Sequence, residues 1–362
     1  MKVNTKPSKQ AQLFDNYKMD EIGVLPSTRY QGSKYKILDW INYHTQDLQF
    51  DTVLDAFGGT GSVGYMFKSA GKQVTYNDSL KFNYYIGLAL IENPGIILTN
   101  DDVNYILKKH QSTYYPSFIY DNFHDIYFTD DENQWLDIII TNIRSINDIY
   151  KQAMAYYALF QACIIKRPYN LFHRKNLYVR TADVKRSFGN KKTWDTPFRS
   201  HFLKFIHEAN RAVFDNNRKN TAHHSDIFEL NTPGIDLVYI DTPYISQKGV
   251  GVNYFDFYHF LEGIVFYDQW DRLIDRDSKH KKIKNGKNEW CKKDEIHQAF
   301  EKLFAKFADS ILVVSYRDDG TPTIDELAVM LKKNKKSVSL QKSEYKYALS
   351  KTSSKEVLLI GT

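Results

Sequence analysis

Hydrophobic positions are patterned in two ways along the chain, and the change between them divides it. Residues 51 to 93 read as a short apolar strand ending in an acid (DTVLDAF), a glycine-rich turn, a helix from Val63 to Ala70, a second strand (QVTYND) and a helix from about Leu80. That order predicts a parallel sheet, because each helix carries the chain back to the edge where the next strand begins. From 101 to 222 the pattern is mostly helical, with polar loops and an apolar helix around Met154 to Ile165 (MAYYALFQACII). The sheet signal returns at Asp236 with DLVYIDTPY, an apolar run that ends in an acid and a proline turn, as a strand buried on both faces does. SILVVSYRDDG predicts a further strand, Thr323 with Glu326 a capping box opening a helix to about Lys333, and SVSLQKSEY with KEVLLIG a closing hairpin. The predicted architecture is one α/β sheet domain built from residues 1–100 and 223–362, interrupted by a mainly helical insertion at 101–222.

Composition narrows the class. A chain of 362 residues has enough length for about two domains, and it contains no apolar run long enough to span a bilayer. The N-terminus MKVNTKPSKQAQLFDNYKMD has lysines but no apolar stretch before a small-residue cleavage site, so the cytoplasm is the expected compartment. Cys163 and Cys291 form neither a CxxC pair nor a cysteine-rich zinc pattern; they are expected to be reduced thiols, and no metal site is expected.

A net charge of +6 understates the segregation of charge. Residues 100–150 hold nine acids against three Lys/Arg, whereas 166–219 hold fourteen Lys/Arg against four acids. Two further basic stretches run from Arg272 to Asp294 and from Lys332 to Lys355. A polyanion is the natural partner of such a surface. In KRPYNLFHRKNLYVR, Arg, His, Asn and aromatics interleave, the mixture that grips phosphates and stacks on bases. The C-terminal run reads equally well as solvated surface.

The turn after the first strand contains GTGSVG, Gly59 to Gly64, with Asp78 at the end of the next strand. Glycines there let backbone approach a ligand and the distal acid accepts hydrogen bonds from ribose hydroxyls, so any adenosine-bearing cofactor fits, a nicotinamide dinucleotide included. Asp55, Asp78, Asp226 and Asp241 each fall at or just after a predicted strand, so a parallel sheet brings them to one edge. Singly, Asp55 and Asp78 could cap helices and Asp226 could be a turn residue. In Asp241-Thr242-Pro243-Tyr244, Pro243 biases Thr242 away from the helical region and fixes the direction of its carbonyl. The Asp241 carboxylate and that carbonyl offer two acceptors for an amino group, and Tyr244 offers a π-face for a base.

At these residues the chain resembles the Dam-like class of DNA adenine-N6 methyltransferases, S-adenosylmethionine enzymes whose catalytic tetrapeptide is usually Asp-Pro-Pro-Tyr. The resemblance runs through RYQGSKYKILDWI, DAFGGTGSVG, YNDS, HSDIFEL, LVYIDTPY and the stretch from ILVVSYRDDG to the end, covering roughly residues 25 to 360. It implies a Rossmann-like methyltransferase sheet with a helical DNA-recognition insertion and a C-terminal β-hairpin. It also implies that Tyr30, Gly32 and Lys34 border the methionine end of S-adenosylmethionine, and that Asp55, Phe57, Gly59 and Gly61 cradle it. Asp78 would take the ribose, and Asp226 with Ile227 and Phe228 the cofactor adenine. Asp241, Thr242, Pro243 and Tyr244 would hold the target adenine. The sequence departs from the family where Thr242 replaces the first proline, which keeps the backbone acceptor and loses one ring constraint.

The implied reaction is attack of an exocyclic amine, its hydrogens held by Asp241 and the Thr242 carbonyl, on the sulfonium methyl. The base must first leave the duplex, at a cost of a few kcal/mol. Arg167, Arg174 and Lys175 are expected to touch DNA phosphates, and the 272–294 stretch to clamp the duplex. Double-stranded DNA is the implied partner, with a cognate restriction endonuclease beside it, in the nucleoid of a prokaryote or a phage-infected cell. Competing readings are a nicotinamide dehydrogenase, for which nothing downstream supplies chemistry, a methyltransferase for cytosine N4, RNA or protein glutamine, and a DNA-binding protein with a decayed loop.

Overall fold

The computed structural model describes residues 23–184, 191–246, 249, 251–284, 288–346 and 355–362. Segments 1–22, 185–190, 285–287 and 347–354, which include parts of all three basic stretches, lie outside the described residues, as do 247, 248 and 250.

The strands are β1 (Thr52–Asp55), β2 (Gln73–Asp78), β3 (Thr221–His224), β4 (Leu237–Ile240), β5 (Ile245–Ser246), β6 (Ile311–Arg317), β7 (Gly320–Thr321), β8 (Val338–Lys346) and β9 (Lys355–Gly361). Seven of them form one sheet in the order β3-β2-β1-β4-β6-β9-β8, and β5 pairs with β7 in a small antiparallel ribbon. The first five strands of that order run parallel, and β9 returns antiparallel beside β6 with β8 antiparallel beyond it. Because successive residues of a strand point to opposite faces, the apolar runs sort into two layers. Leu237, Tyr239, Val313, Leu358 and Ile360 belong to one hydrophobic cluster, and Val238, Ile240, Leu312, Val314, Val357 and Leu359 to the other. The second layer is closed by helices Ile296–Lys306 and Ile324–Lys332 through residues such as Phe300, Leu303, Leu327 and Leu331. The helix at Ile324 opens on the foreseen capping box, with Thr323 and Glu326 each bonded to the other's backbone N–H.

The first layer is covered by helices α1 (Leu38–Thr45), α2 (Ser62–Ser69), α3 (Lys81–Gly87), α4 (Asp130–Arg144), α5 (Ile149–Ile165), α6 (Phe198–Ala212) and α7 (Tyr254–Val265). In α5 every residue from Ala153 to Ile165 is buried, as a helix apolar on all sides must be. α6 instead buries a stripe, Phe198, Phe202, Phe205, Ile206 and Ala209, at helical spacing. Their side chains join the same cluster as Val53 of β1 and Val74 of β2. The helical segment is therefore continuous with the sheet's core rather than set apart from it. The expected edge at 222 falls inside β3, since the last long helix ends at Ala212 and the sheet resumes at Thr221.

β1 has β2 on one side and β4 on the other, so the chain leaves β1 and β4 in opposite directions and a crevice opens at their carboxyl ends. No helix among the described residues is long and apolar enough to cross a membrane.

Candidate active site

Four acids occupy that edge: Asp55 ends β1, Asp78 ends β2, Asp226 lies just past β3, and Asp241 follows β4 directly. The cleft between them has a volume of about 300 Å³. Asp55 Oδ2 accepts from the Gly64 N–H at 2.9 Å, while Asp78 accepts from the N–H groups of Gly59 at 2.9 Å and Leu80 at 2.8 Å. Both carboxyls thereby brace the glycine turn. Burial pushes Asp55 up to about 7 and Asp78 up to about 6, with the backbone N–H bonds opposing it.

Gly59 and Gly61 sit at φ +51° and +71°, a left-handed turn that feeds α2 and that side chains rarely adopt. A Cβ at Gly59 would meet only the Phe57 carbonyl, at 3.9 Å, so the turn leaves room for a ligand. Gly61 does not itself line the cleft; it sets the start of the helix. Asn77 and Asn83 line the same space, and their buried Oδ1 atoms have no partner among the described residues. Two carboxyls and an open glycine turn suit a ligand rich in hydroxyl and amino groups.

Tyr30 and Gly32 close one side. The Tyr30 ring stacks on Tyr258 at 4.3 Å and on Tyr254 at 5.7 Å, and the Gln31 N–H donates to the Tyr258 hydroxyl at 2.8 Å. Gly32, at φ +87°, leaves no room for a side chain, because a Cβ would lie 2.1 Å from the Tyr254 hydroxyl. Opposite, Phe57, Asp226 and Ile227 line the cleft with Trp290, whose ring meets Phe57 edge-on at 5.0 Å and stacks on Phe228 at 5.8 Å.

Lys34 lies at the centre, buried. Its Nζ donates to Asp241 Oδ1 at 2.7 Å and to the Tyr244 hydroxyl at 2.7 Å, stands 2.7 Å from Asp241 Oδ2, and is 3.6 Å from Glu356 Oε1. Burial pulls its pKa down, but Asp241 and Glu356 outweigh that, so the net shift is upward and Lys34 stays charged. Tyr244 differs from its expected part as a stacking surface. It is 9% exposed, meets Tyr316 edge-on, and directs its hydroxyl to Asp241 Oδ1 at 2.9 Å and Glu356 Oε1 at 2.8 Å. Thr242 is buried and its hydroxyl has no partner among the described residues, so the side chain adds no visible restraint to the loop.

The three basic residues expected on DNA part company. Arg167 is 1% exposed, and its guanidinium donates to the carbonyls of Tyr127 at 2.9 Å, Leu171 at 3.2 Å and Arg174 at 3.3 Å, and to Asn176 Oδ1. It also lies 4.4 Å over the Tyr127 ring. The expectation of a phosphate contact is corrected at this position: folding has used the group to hold its own loop. Arg174 and Lys175 are exposed, with Lys175 3.0 Å from Asp125. The loop docks beside the site, its Phe172 N–H donating to the Phe257 carbonyl of α7 at 2.8 Å.

Sequence reasoning missed Tyr254, Trp290 and Glu356. Trp290 was legible as a lone large aromatic in a basic polar stretch that was given over to DNA. Glu356 shares strand parity with Leu358 and Ile360, which marks it as an acid pointing into the buried layer.

Residues 30–317 match the family described as D12 class N6 adenine-specific DNA methyltransferase. The chain is 31% identical over 340 residues to "Type II methyltransferase M2.HphI" of Haemophilus parahaemolyticus, covering 91% of this chain and 95% of that protein. It is 24% identical to "Type II methyltransferase M.NlaIII" of Neisseria lactamica over 82% of this chain and 86% of the relative. Against "Type II methyltransferase M.FokI" of Planomicrobium okeanokoites the identity is 27%, and the chain spans 46% of that protein's length.

Replacing Arg167 with Ala should leave several buried carbonyls unpaired and lower unfolding free energy by about 3 kcal/mol or more. Arg174→Ala, on the surface of the same loop, should change it by less than about 0.5 kcal/mol, and urea melts of the two variants separate these outcomes.

Proposed function

The chain belongs to the D12 class of N6 adenine-specific DNA methyltransferases, and we propose that it transfers a methyl group from S-adenosylmethionine to a flipped-out adenine of duplex DNA as the modification partner of a restriction endonuclease. The observation that carries the detail is the convergence of Asp55, Asp78 and Asp241 on one cleft at the switch point of the sheet.

S-adenosylmethionine, when bound, supplies the electrophilic methyl. On this reading Asp78 accepts from the ribose hydroxyls, and Phe57, Asp226, Ile227 and Phe228 take the adenine side. Gly59 and Gly61 shape the cradle, while Tyr30, Gly32, Lys34 and Asp55 bound the methionine side. Asp241 and the Thr242 carbonyl accept from the two hydrogens of the target amine, which favours a pyramidal nitrogen with its lone pair free to attack. Pro243 holds the loop, and Tyr244 acts through its hydroxyl. Because Lys34 touches both oxygens of Asp241, the amine competes with it there.

Arg174 and Lys175 belong to the phosphate-contacting face of residues 101–222, which we assign to target recognition, with residues 1–100 and 223–362 forming the catalytic part. The basic 272–294 stretch divides its duties: Asn288, Glu289 and Trp290 line the cleft, and its lysines are left for DNA. An enzyme with this substrate works in the cytoplasm, where DNA and cofactor meet.

Nucleoside mass spectrometry of duplex DNA incubated with protein and S-adenosylmethionine tests the reading, which requires N6-methyladenine to appear. Asp241→Ala should lower turnover by ~100-fold or more while cofactor affinity stays within a few-fold, because the residue acts on the amine. Wild-type turnover in that variant would remove Asp241 from its role.

The pH dependence of cofactor binding tests Asp78. Its ionised form accepts the ribose hydroxyls, and burial raises its pKa to about 6. Affinity should therefore fall as pH drops through about 6, by up to ~10-fold per pH unit for that proton, below a separate change near 7 where Asp55 titrates. In Asp78→Asn affinity should be lower at neutral pH and the part of the slope centred near 6 should vanish while that of Asp55 near 7 remains, as calorimetry across the range would reveal.

DNA affinity provides a third test. Arg174→Ala with Lys175→Ala should flatten the salt dependence of binding by about two phosphate contacts. An unchanged slope would move the DNA path elsewhere.

A further inference from the structure

An amine arriving at Asp241 competes with the donors that now hold its oxygens. Lys34 takes both, and the Tyr244 hydroxyl also reaches Oδ1. Pulling an ammonium away from its carboxylate inside a protein is unfavourable unless another charge receives it. Glu356 is placed to do so. It is fully buried, its Oε1 accepts from the Ser315 hydroxyl at 2.5 Å, and it is in reach of both groups that cover Asp241: 2.8 Å from the Tyr244 hydroxyl and 3.6 Å from Lys34 Nζ. Tyr244 has one proton for two carboxylates, so donating to Glu356 means releasing Asp241. Lys34 lies between two acids and needs only a small shift to exchange the nearer for the farther.

We propose that Glu356 is a positioning residue for methyl transfer, receiving the Lys34 ammonium and the Tyr244 hydrogen bond when the target amine takes their place on Asp241. No bond is made or broken in this exchange; the ammonium stays protonated throughout, and three charges keep their sum. The geometry explains why an acid is tolerated on the buried face of β9: its charge is wanted where the substrate's arrival disturbs an ion pair. The proposal rests on the reading of Asp241 as the acceptor for the amine.

The test compares Glu356→Gln, which retains size and an acceptor but loses the charge, with Glu356→Asp, which keeps the charge and withdraws it by one methylene, in steady-state methylation. Glu356→Gln should lower kcat by about 100-fold, the scale of one positioned group at a reacting centre, with little change in KM for DNA or in cofactor affinity. In Glu356→Asp the charge remains to receive the ammonium, so kcat should stand about tenfold or more above that of Glu356→Gln at the same KM, a charge-dependent rescue that a merely structural role would not produce. If Glu356→Gln does not fold, Glu356→Asp alone should lower kcat at constant KM. Wild-type kcat in whichever variant is measured, or Glu356→Asp no faster than Glu356→Gln, would overturn the proposal. A wild-type protein that methylates no adenine would instead overturn the functional reading, so the two failures are distinguishable.

Discussion

Taking the Lys34 ammonium out of water is unfavourable unless opposite charges receive it, and segments far apart in the chain converge to do that. Lys34 comes from the turn before α1, Asp241 and Tyr244 from the loop after β4, and Glu356 from the start of β9. Their bonds fix the relative positions of those segments and close the floor of the cleft. Because all are buried, loss of any one leaves the others short of a partner in a medium that solvates them poorly. The same balance gives the site its capacity to respond, since two carboxylates compete for one ammonium and one hydroxyl proton.

The sheet makes that convergence possible. Its parallel strands deliver Asp55, Asp78 and Asp241 to one edge, and the antiparallel return of β9 brings Glu356 opposite Arg317 at the end of β6, to the same edge. Strand alternation then decides direction. The apolar residues flanking these positions divide between two packed layers, so a shift of register by one residue would turn every side chain to the wrong face.

The helical segment shows how burial redistributes the roles of charged residues. Arg167 and Lys166 lie in a basic stretch that looks like a binding surface, yet Arg167 binds carbonyls around Tyr127 and Lys166 binds Glu132 at 2.8 Å together with the carbonyls of Trp194 and Thr196. These cations hold loops onto a core continuous with the sheet, and only their neighbours, such as Arg174, face solvent. A count of positive charge along a stretch therefore overstates the charge available to a polyanion.

Much of the fold was legible in sequence because its signals are local. Apolar runs ending in acids, glycines where the turn needs positive φ, and a Thr-x-x-Glu cap each depend on neighbouring residues, so the strands, the glycine turn and the helix at Ile324 could be read directly. The acids at strand ends were legible for the same reason, since a parallel sheet gathers strand ends whatever lies between them. The helical stretch was legible as helices, but its continuity with the sheet's core was not, because packing partners are chosen across the chain. Tertiary structure alone decided that Arg167 would turn inward, that Tyr244 would present its hydroxyl rather than its face, and that Glu356 would reach Lys34. Each of these outcomes depends on which distant group lies within a few ångströms once the strands have paired, and periodicity along the chain carries no measure of that distance.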